Sequence, residues 1–145
     1  MPQTTQTYAN HVRYHAPYHF FLTPVLTIYL GWTIAKLGKA PTWDNLFSLL
    51  IAISLIVLMA LIRIYALRVQ DRIIRLEERL RYQQVLTPEL AAKASQMPTR
   101  FIVALRFASD QELPGLVQRV LAGEFTKGAE AKRAIQSWRA DYLRV

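Results

Sequence analysis

Three histidines near the N-terminus are the side chains of this sequence best suited to bind a metal or to exchange protons at neutral pH. His11, His15 and His19 lie four residues apart within YANHVRYHAPYHFF. On a continuous helix this spacing places the imidazoles on one face, where two of them can chelate a metal. A haem would need a second axial ligand from Met59, Met97 or another copy of the chain. The first chemical hypothesis is therefore a metal or haem site.

Pro17 weakens this hypothesis, because proline fits the first turn of a helix and disfavours helical backbone at the residue before it. The first helix is expected to begin near Pro17, which leaves His11 and His15 in the segment that precedes it. We interpret the histidine segment as a collar at a membrane surface and expect no bound metal or cofactor. A pH-responsive contact is the remaining alternative, because free imidazole titrates at about pH 6.5.

The rest of the sequence offers little for catalysis. It contains no cysteine, and beyond His19 it has neither a histidine nor a glycine-rich phosphate-binding loop. Asp110 and Glu112 are expected at the start of a helix, where Ser109 and Glu112 can form a capping box. We therefore expect a protein without enzymatic activity.

Two apolar stretches dominate the first half of the chain. Between Tyr18 and Lys36, and again between Asp44 and Ile62, there is no Lys, Arg, Asp or Glu. Each stretch has the roughly 17–25 residues that a helix needs to cross about 30 Å of hydrocarbon. The sequence predicts two transmembrane helices joined by a short external turn.

The orientation of these helices follows from the positions of the cations. A series of arginines from Arg63 to Arg81 follows the second stretch, whereas the turn carries only Lys36 and Lys39. Because cationic segments are retained in the cytoplasm, both termini are predicted to be cytoplasmic. The residues expected at the lipid headgroups are Arg13, Tyr14, Tyr18, Trp32, Trp43, Arg63, Tyr65 and Arg68.

Small and hydroxyl side chains predict how the two spans associate in lipid, where close approach replaces the hydrophobic effect. The candidate packing residues are Thr23, Thr27 and Gly31 on the first span and Ser48 and Ala52 on the second. They serve either the hairpin itself or a seam between protomers. Neither span has an ionisable residue near its middle, which argues against a pump or transporter. A ring of subunits around a pore remains an alternative.

The second span is predicted to continue beyond the membrane as a stem that ends near Leu86. Apolar residues recur along it at alternating spacings of four and three, the pattern of a coiled coil. This seam consists of Ala66, Val69, Ile73, Leu76 and Leu80. It packs either on a second copy or on the chain's own terminal domain. The arginines beside it are interleaved with acids, so no nucleic-acid partner is expected.

The last third of the chain predicts a small helical domain. Thr87 and Pro88 begin one helix, and residues 101–107 are ambiguous between helix and strand, with helix preferred because their apolar residues share a helical face. A further helix is expected to follow Ser109. Trp138 is predicted to lie in the core as the largest apolar side chain available there.

The segments YANHVRYHAPYHFF, ALRFASDQELPGLV and WRADYLRV together resemble an uncharacterised family of small bacterial two-span membrane proteins. The resemblance implies a bacterial inner membrane and supplies no activity, cofactor or partner. Arg106, Phe107, Asp110 and Trp138 are candidates for contacts with the N-terminal collar.

The predicted fold is an all-α membrane protein: a two-helix transmembrane hairpin, a cytoplasmic coiled-coil-like stem and a small helical C-terminal domain. Its parts are a lead-in (1–16), the first span (17–37), the turn (38–43), the second span with the stem (44–86) and the cytoplasmic domain (87–145). The expected role is a non-enzymatic anchor, scaffold or accessory subunit, with lipid and a second copy or another protein as partners. The alternative is a homo-oligomeric channel.

Overall fold

The computed structural model describes residues 6–10 and 14–141. Within these residues the regular secondary structure is entirely helical. The described part of the chain forms no strand, and its β-type pairing is limited to one isolated antiparallel bridge between Ala108 and Trp138. A π-helical segment, Pro17–Leu22, leads into the first α-helix. The α-helices are α1 (Thr23–Lys39), α2 (Trp43–Val85), α3 (Pro88–Ser95), α4 (Thr99–Leu105), α5 (Leu113–Leu121) and α6 (Gly128–Arg133). The predicted all-α fold is confirmed.

The chain divides into two compact units, which share helix α2. Described residues 14–67 form the first unit, here called the apolar hairpin. Residues 6–10 and 68–141 form the second, here called the C-terminal unit. The stem is the part of α2 within the C-terminal unit, residues 68–85.

The hairpin consists of α1 with its π-helical start and the first part of α2, joined by a tight turn. The helices Pro17–Lys39 and Trp43–Val85 are long and apolar enough to span a membrane. The backbone leaves helical geometry at Ala40, whose carbonyl accepts a hydrogen bond from Asn45 Nδ2 at 2.7 Å. Three residues, 40–42, therefore suffice to reverse the chain, and Gly38 lies inside α1 rather than ending it.

The π-helical segment ends two residues before Pro24, which has no N–H to donate within the helix. Here the Tyr18 carbonyl accepts hydrogen bonds from both the backbone N–H and the hydroxyl of Thr23, the latter at 2.7 Å. The Thr23 hydroxyl also lies 3.9 Å from the Met59 sulfur on α2. One side chain thus compensates for the local backbone change and contacts the opposing helix.

The inner face of the hairpin repeats at alternating spacings of three and four residues, the pattern of antiparallel helices that pack side by side. Thr33 and Ala52 are the fully buried residues of the described hairpin. Half-buried residues continue the same face: Thr23, Leu26, Leu30 and Leu37 on α1, and Leu49, Ile56, Met59, Arg63 and Ala66 on α2. The outward faces carry exposed Ile, Leu, Val and Phe side chains.

The C-terminal unit has a conventional hydrophobic core to which the stem contributes Tyr82, and Leu86, the residue directly after the stem, also contributes its side chain. Helices α3–α6 supply the rest, including Phe101, Ile102, Leu105, Phe107, Leu113, Val117 and Ile135. Helix α6 approaches α4 closely at Gly128, where an added Cβ would lie 2.6 Å from the Arg100 carbonyl oxygen. Glycine is therefore required sterically at this crossing.

The helix starts agree with the sequence patterns only in part. Helix α3 begins at Pro88 after Thr87, as predicted, but the Thr87 side chain makes no capping bond. Helix α4 confirms the helical interpretation of this region as far as Leu105. Helix α5 begins at Leu113, and although Ser109 Oγ accepts the Glu112 N–H at 3.4 Å, the Glu112 carboxylate binds elsewhere. The Ser109 contact of the predicted capping box is therefore present, and the predicted Glu112 side-chain contact is wrong.

Candidate interaction surface

One face of the stem packs against the rest of the C-terminal unit and buries two charged residues. Ile74, Glu78, Arg81 and Tyr82 are buried at helical spacings, with Glu78 4% and Arg81 8% exposed. A buried charge is costly unless it is paired and hydrogen-bonded. The stem therefore places a guanidinium and a carboxylate where the packed domain must supply their partners.

Arg81 obtains those partners from both sides of the contact. Its Nη1 donates to Glu78 Oε2 at 3.1 Å, its Nε donates to Asp110 Oδ1 at 2.8 Å, and its Nη2 donates to the Ala108 carbonyl at 2.6 Å. All three nitrogens of the guanidinium thus bind acceptors. Arg81 fixes the position of the segment between α4 and α5 on the stem, which apolar packing alone would not specify.

Glu78 is held between two arginines in this buried setting. Besides Arg81, the Nη1 of Arg139 lies 3.6 Å from Glu78 Oε1. Burial raises the pKa of Glu78 above its ordinary value, and the charge of Arg81 opposes that shift. Burial also raises the pKa of the neighbouring Tyr82 hydroxyl, with the Glu78 charge adding to the effect. The Tyr82 phenol therefore remains protonated at neutral pH.

A second group of polar contacts closes the C-terminal unit around the Phe107 ring. Arg106 Nε lies 3.0 Å from Asp141 Oδ2, and the Arg106 guanidinium lies 4.5 Å from the Phe107 ring centre. The Trp138 ring packs against the same phenylalanine with a centroid distance of 5.2 Å. Trp138 is only half-buried, so it borders the core rather than filling it as predicted.

The loop after α6 is held by a carboxylate that sequence reasoning assigned to a helix cap. Glu112 accepts the backbone N–H of Gln136 at 3.0 Å and that of Ser137 at 3.0 Å. The Ala108–Trp138 bridge lies beside these contacts, and Arg139 N donates to the Phe107 carbonyl at 2.7 Å. Arg106, Phe107, Asp110 and Trp138, predicted to contact the collar, therefore all have partners inside the C-terminal unit.

The N-terminal segment belongs to the same unit. Asp141 N donates to Gln6 Oε1 at 2.8 Å, and Arg133 Nε donates to the Tyr8 hydroxyl at 2.9 Å. The residues just before the hairpin are thus hydrogen-bonded to residues near the end of the chain.

The opposite face of the stem carries the predicted seam. Val69, Ile73, Leu76 and Leu80 are 57%, 52%, 61% and 55% exposed. At 100° per residue these side chains point roughly 150° away from the face that bears Glu78 and Arg81. Because the terminal domain packs on that other face, the alternative in which it covers the seam is wrong. Ala66, at the start of the seam, is half-buried within the hairpin.

Aromatic packing and a local hydrogen bond hold the His19 ring. His19 Nδ1 hydrogen-bonds to the His15 carbonyl at 3.1 Å, and the His19 ring contacts Tyr14 and Tyr18 edge-on at centroid distances of 5.4 and 5.0 Å. His11 and Arg13 lie outside the described residues. Within residues 6–10 and 14–141, no group of three potential ligand side chains is placed to hold a metal ion.

Aromatic and cationic residues pair at both ends of the hairpin. The Arg63 guanidinium lies 5.7 Å from the Tyr18 ring centre, and Lys36 Nζ lies 4.7 Å from the Trp32 ring. The other residues predicted for the headgroup region are exposed: Tyr14, Trp43, Tyr65 and Arg68. Such pairs suit a boundary where one end of each side chain is apolar and the other is hydrated.

The predicted small-residue packing set divides between two faces. Thr23 and Ala52 lie on the inner face of the hairpin, and Ser48 is half-buried with its hydroxyl bonded to the Asp44 carbonyl. Thr27 and Gly31 are exposed, and a Cβ at Gly31 would meet nothing within 4 Å. Their assignment to hairpin packing is wrong; a role between protomers stays a prediction.

Sequence reasoning missed the inner face of α1 and the Glu78–Arg81–Asp110 cluster. The alternating spacing of Thr23, Leu26 and Leu30 could have revealed the former. For the latter, Glu78 and Arg81 share a stem face with Ile74 and Tyr82, a pattern that indicates buried charge. Nothing local in the sequence pairs Arg81 with Asp110, 29 residues away.

Comparison with protein families identifies the chain as a whole. A family model described as a family of unknown function, DUF6526, matches residues 1–145. A search of curated proteins returned no match. No solved structure matched either. Because the model covers every residue, and in agreement with the resemblance to an uncharacterised family, the chain belongs to DUF6526, a family of unknown function.

Proposed function

We propose that this protein is a non-enzymatic anchor of the bacterial inner membrane, in which the hairpin spans the bilayer and the C-terminal unit presents a cytoplasmic interaction surface. The observation that carries the proposal is the exposed apolar surface of the hairpin. Phe20 and Ile28 are each 71% exposed, and Ile51 is 55% exposed. A surface this apolar is stable in hydrocarbon and aggregates in water.

The hydrogen bonds between Gln6 and Asp141 support an even number of crossings. Two spans return the chain to the side on which it began, as these bonds require. A single span would place Gln6 and Asp141 on opposite sides of the bilayer. The N-terminal segment therefore acts as a clasp that a single-span topology would not permit.

The distribution of cations supports a cytoplasmic position for the C-terminal unit. Arg68, Arg72 and Arg75 are exposed on α2 beyond the apolar stretch, whereas Lys36 and Lys39 mark the turn. Arginines near an anionic leaflet each contribute about 1 kcal/mol of attraction and oppose translocation. The same charges would hold the first turns of the stem close to the headgroups.

The unbroken α2 helix supports a scaffolding role. Its 43 residues span about 65 Å, of which the bilayer core accounts for about 30 Å. The remaining residues include the stem, on which the Arg81 contacts hold the segment between α4 and α5. A continuous helix with a small domain packed on its far end is the kind of construction that a scaffold or an accessory subunit uses.

Thiol labelling tests the anchor, because the natural chain has no cysteine. Pro41→Cys lies in the turn, and Gln111→Cys lies on the exposed surface of the C-terminal unit. In intact spheroplasts a membrane-impermeant maleimide should label Pro41→Cys and leave Gln111→Cys unlabelled until lysis. Labelling of Gln111→Cys in intact spheroplasts, or extraction of the chain by alkaline carbonate, would refute the proposed topology. The cysteine-free chain is the control.

The second candidate function is a homo-oligomeric channel, favoured by the exposure of Thr27 and Gly31 on one face of α1. Small and hydroxyl residues on a lipid-facing surface suit contacts between protomers. Mass measurement of the purified chain in detergent separates the candidates. A closed ring with ion conductance in planar bilayers supports the channel, whereas a small assembly without conductance supports the anchor.

A further inference from the structure

We propose that the stem pairs with the stem of a second copy as a parallel two-stranded coiled coil formed by Val69, Ile73, Leu76 and Leu80. This inference rests on the proposed membrane anchorage. It identifies the partner of the anchor's stem as a second copy of the same chain. It commits the seam to self-association.

The exposure of the seam in an aqueous setting is the first observation. Each of the four side chains is more than half exposed, in the part of α2 that carries charged residues on its other faces. The rest of the C-terminal unit packs on the face that bears Glu78 and Arg81. The seam, on the opposite face, therefore stays exposed in the part of the chain that the structure describes. An apolar stripe of this kind in water marks an interaction site.

The charges beside the seam give the second observation, because they select the partner. In heptad terms Ile73 occupies position a, Leu76 position d, Arg72 position g and Glu77 position e. In a parallel, in-register pair, each g residue faces the e residue five positions later on the other helix. Arg72 of each copy therefore faces Glu77 of the other, and the two-fold symmetry of the dimer gives two equivalent ion pairs. Both residues are exposed, and neither forms an ion pair within the part of the chain that the structure describes.

The membrane sets the orientation of the pair. Two copies inserted with the same topology present their stems in the same direction and at the same height. This excludes an antiparallel arrangement and brings the two seams into register. The central pair, Ile73 at position a and Leu76 at position d, is the combination that favours two strands, whereas Val69 at d and Leu80 at a do not add to that preference.

The seam is shorter than an isolated coiled-coil peptide needs to be stable. Two contributions that oppose the association of isolated peptides are, however, smaller for the stem. An isolated peptide of this length must first form a helix, which is unfavourable. Here the stem is already helical, because it continues α2 of the hairpin. Its face opposite the seam packs against the rest of the C-terminal unit. Confinement to one membrane also raises the effective concentration of the two stems.

Site-directed disulfide formation tests the pairing. In vesicles exposed to a mild oxidant, Ile73→Cys and Leu76→Cys should each cross-link to the same residue of a second copy. Arg75→Cys, at position c between them, is the matched control and should cross-link at least roughly fivefold less, because its side chain points away from the seam. Cross-linking at both seam positions indicates a parallel, in-register pair. Equal yields at positions 73, 75 and 76, or no yield at 73 and 76, would overturn the proposal.

Charge reversal tests the choice of partner with a readout that misfolding does not mimic. In the Ile73→Cys background, Arg72→Glu should lower the cross-linked fraction by roughly fivefold, because both interhelical pairs become repulsive. Adding Glu77→Arg should restore the fraction, since the pairs are re-formed with reversed signs. Arg75→Glu makes the same change in net charge outside the seam and should leave the fraction unchanged. A failure of the double variant to recover would refute the Arg72–Glu77 pairing.

The outcomes separate this inference from the anchor on which it rests. If Gln111→Cys shows the expected protection and the seam cysteines do not cross-link, the paired stem is wrong and the anchor stands. If Gln111→Cys is labelled in intact spheroplasts, the proposed anchor topology is wrong, whatever the seam cysteines show. A detergent mass of three or more chains, with seam cross-links present, would overturn the two-stranded form.

Discussion

Ile51 and Leu76 lie on the same helix and have similar exposure, 55% and 61%, but their exposure has opposite consequences. With the hairpin in the bilayer as proposed, an exposed isoleucine there faces hydrocarbon, which solvates it, so no protein partner is needed. In the stem an exposed leucine faces water, and the free energy of burying it favours a partner. The meaning of an exposed apolar side chain thus depends on the solvent around it.

Buried residues differ between the two regions in the same way. The described hairpin fully buries only Thr33 and Ala52, small side chains that let helices approach. The C-terminal unit buries a continuous apolar core together with Glu78, Arg81 and Arg106. This difference agrees with the proposed topology, because a unit in water must form its own apolar interior, whereas a hairpin in lipid needs only complementary helix faces.

Removal of Arg81 is expected to have the largest effect on the C-terminal unit. Arg81→Ala should destabilise it by about 3–5 kcal/mol, because the buried Ala108 carbonyl loses its donor and the buried Glu78 keeps only the more distant Arg139. Urea unfolding in nanodiscs, followed by Trp138 fluorescence in a Trp32→Phe/Trp43→Phe background, measures this loss.

Two further variants make the Arg81 result specific. Arg75→Ala, on an exposed face of the same helix, should change stability by less than about 0.5 kcal/mol. The double variant Glu78→Leu/Arg81→Met should be less destabilised than Arg81→Ala, since both buried charges are gone. An equal loss for Arg75→Ala and Arg81→Ala would contradict the buried cluster.

The contrast between lipid and water predicts opposite outcomes for lysine on the two exposed faces. Val57→Lys, near the middle of the second apolar stretch, should disfavour insertion by about 3 kcal/mol. Leu76→Lys should insert normally and lose only the paired stem. Carbonate extraction reports insertion, and cross-linking through Ile73→Cys reports pairing. Normal insertion of Val57→Lys together with failed insertion of Leu76→Lys would reverse the assignment of the two environments.

Two glycines of the C-terminal unit are expected to respond differently to an added methyl group. Gly128→Ala should destabilise the unit by about 1–3 kcal/mol, because its Cβ would lie 2.6 Å from a backbone carbonyl. Gly115→Ala, in helix α5 with nothing within 4 Å of the added Cβ, should be neutral or stabilising by up to about 1 kcal/mol. The Trp138 assay measures both, and equal effects would show that α6 does not pack closely on α4.

The smallest expected effect is a pH dependence with two opposite contributions. Burial raises the pKa of Glu78 above 4.5, so between 4.5 and the folded pKa the native state binds more protons than the unfolded state. Stability from this group therefore falls as pH rises through that window. Backbone hydrogen bonds from Thr126 and Lys127 lower the pKa of Glu130, so its contribution is lost as pH falls below 4.5.

Conservative variants separate the two carboxylates. Glu78→Gln should remove the component of the urea-midpoint profile above pH 4.5, and Glu130→Gln should remove the component below it. An unchanged profile above pH 4.5 in Glu78→Gln would mean that the Arg81 and Arg139 charges fully offset the effect of burial.

The positions of the long helices were predictable because length, hydropathy and charge act locally. The apolar stretches, the turn near Pro41 and the continuation of the second helix into the stem follow from residue types and spacing. The exposed seam was also visible from its spacing. The face of the stem that binds the terminal domain was not predicted, because Arg81 meets Asp110 through a contact between segments distant in sequence.

By itself the sequence determined an all-helical chain with two apolar helices and a charged, amphipathic stem, since periodicity and composition act over a few turns of helix. Only the tertiary structure decided which face of each helix is covered, that Glu112 holds the loop after α6, and that Gln6 meets Asp141. These contacts depend on shape and on pairing across long separations in sequence. Neither can be read from a residue and its immediate neighbours.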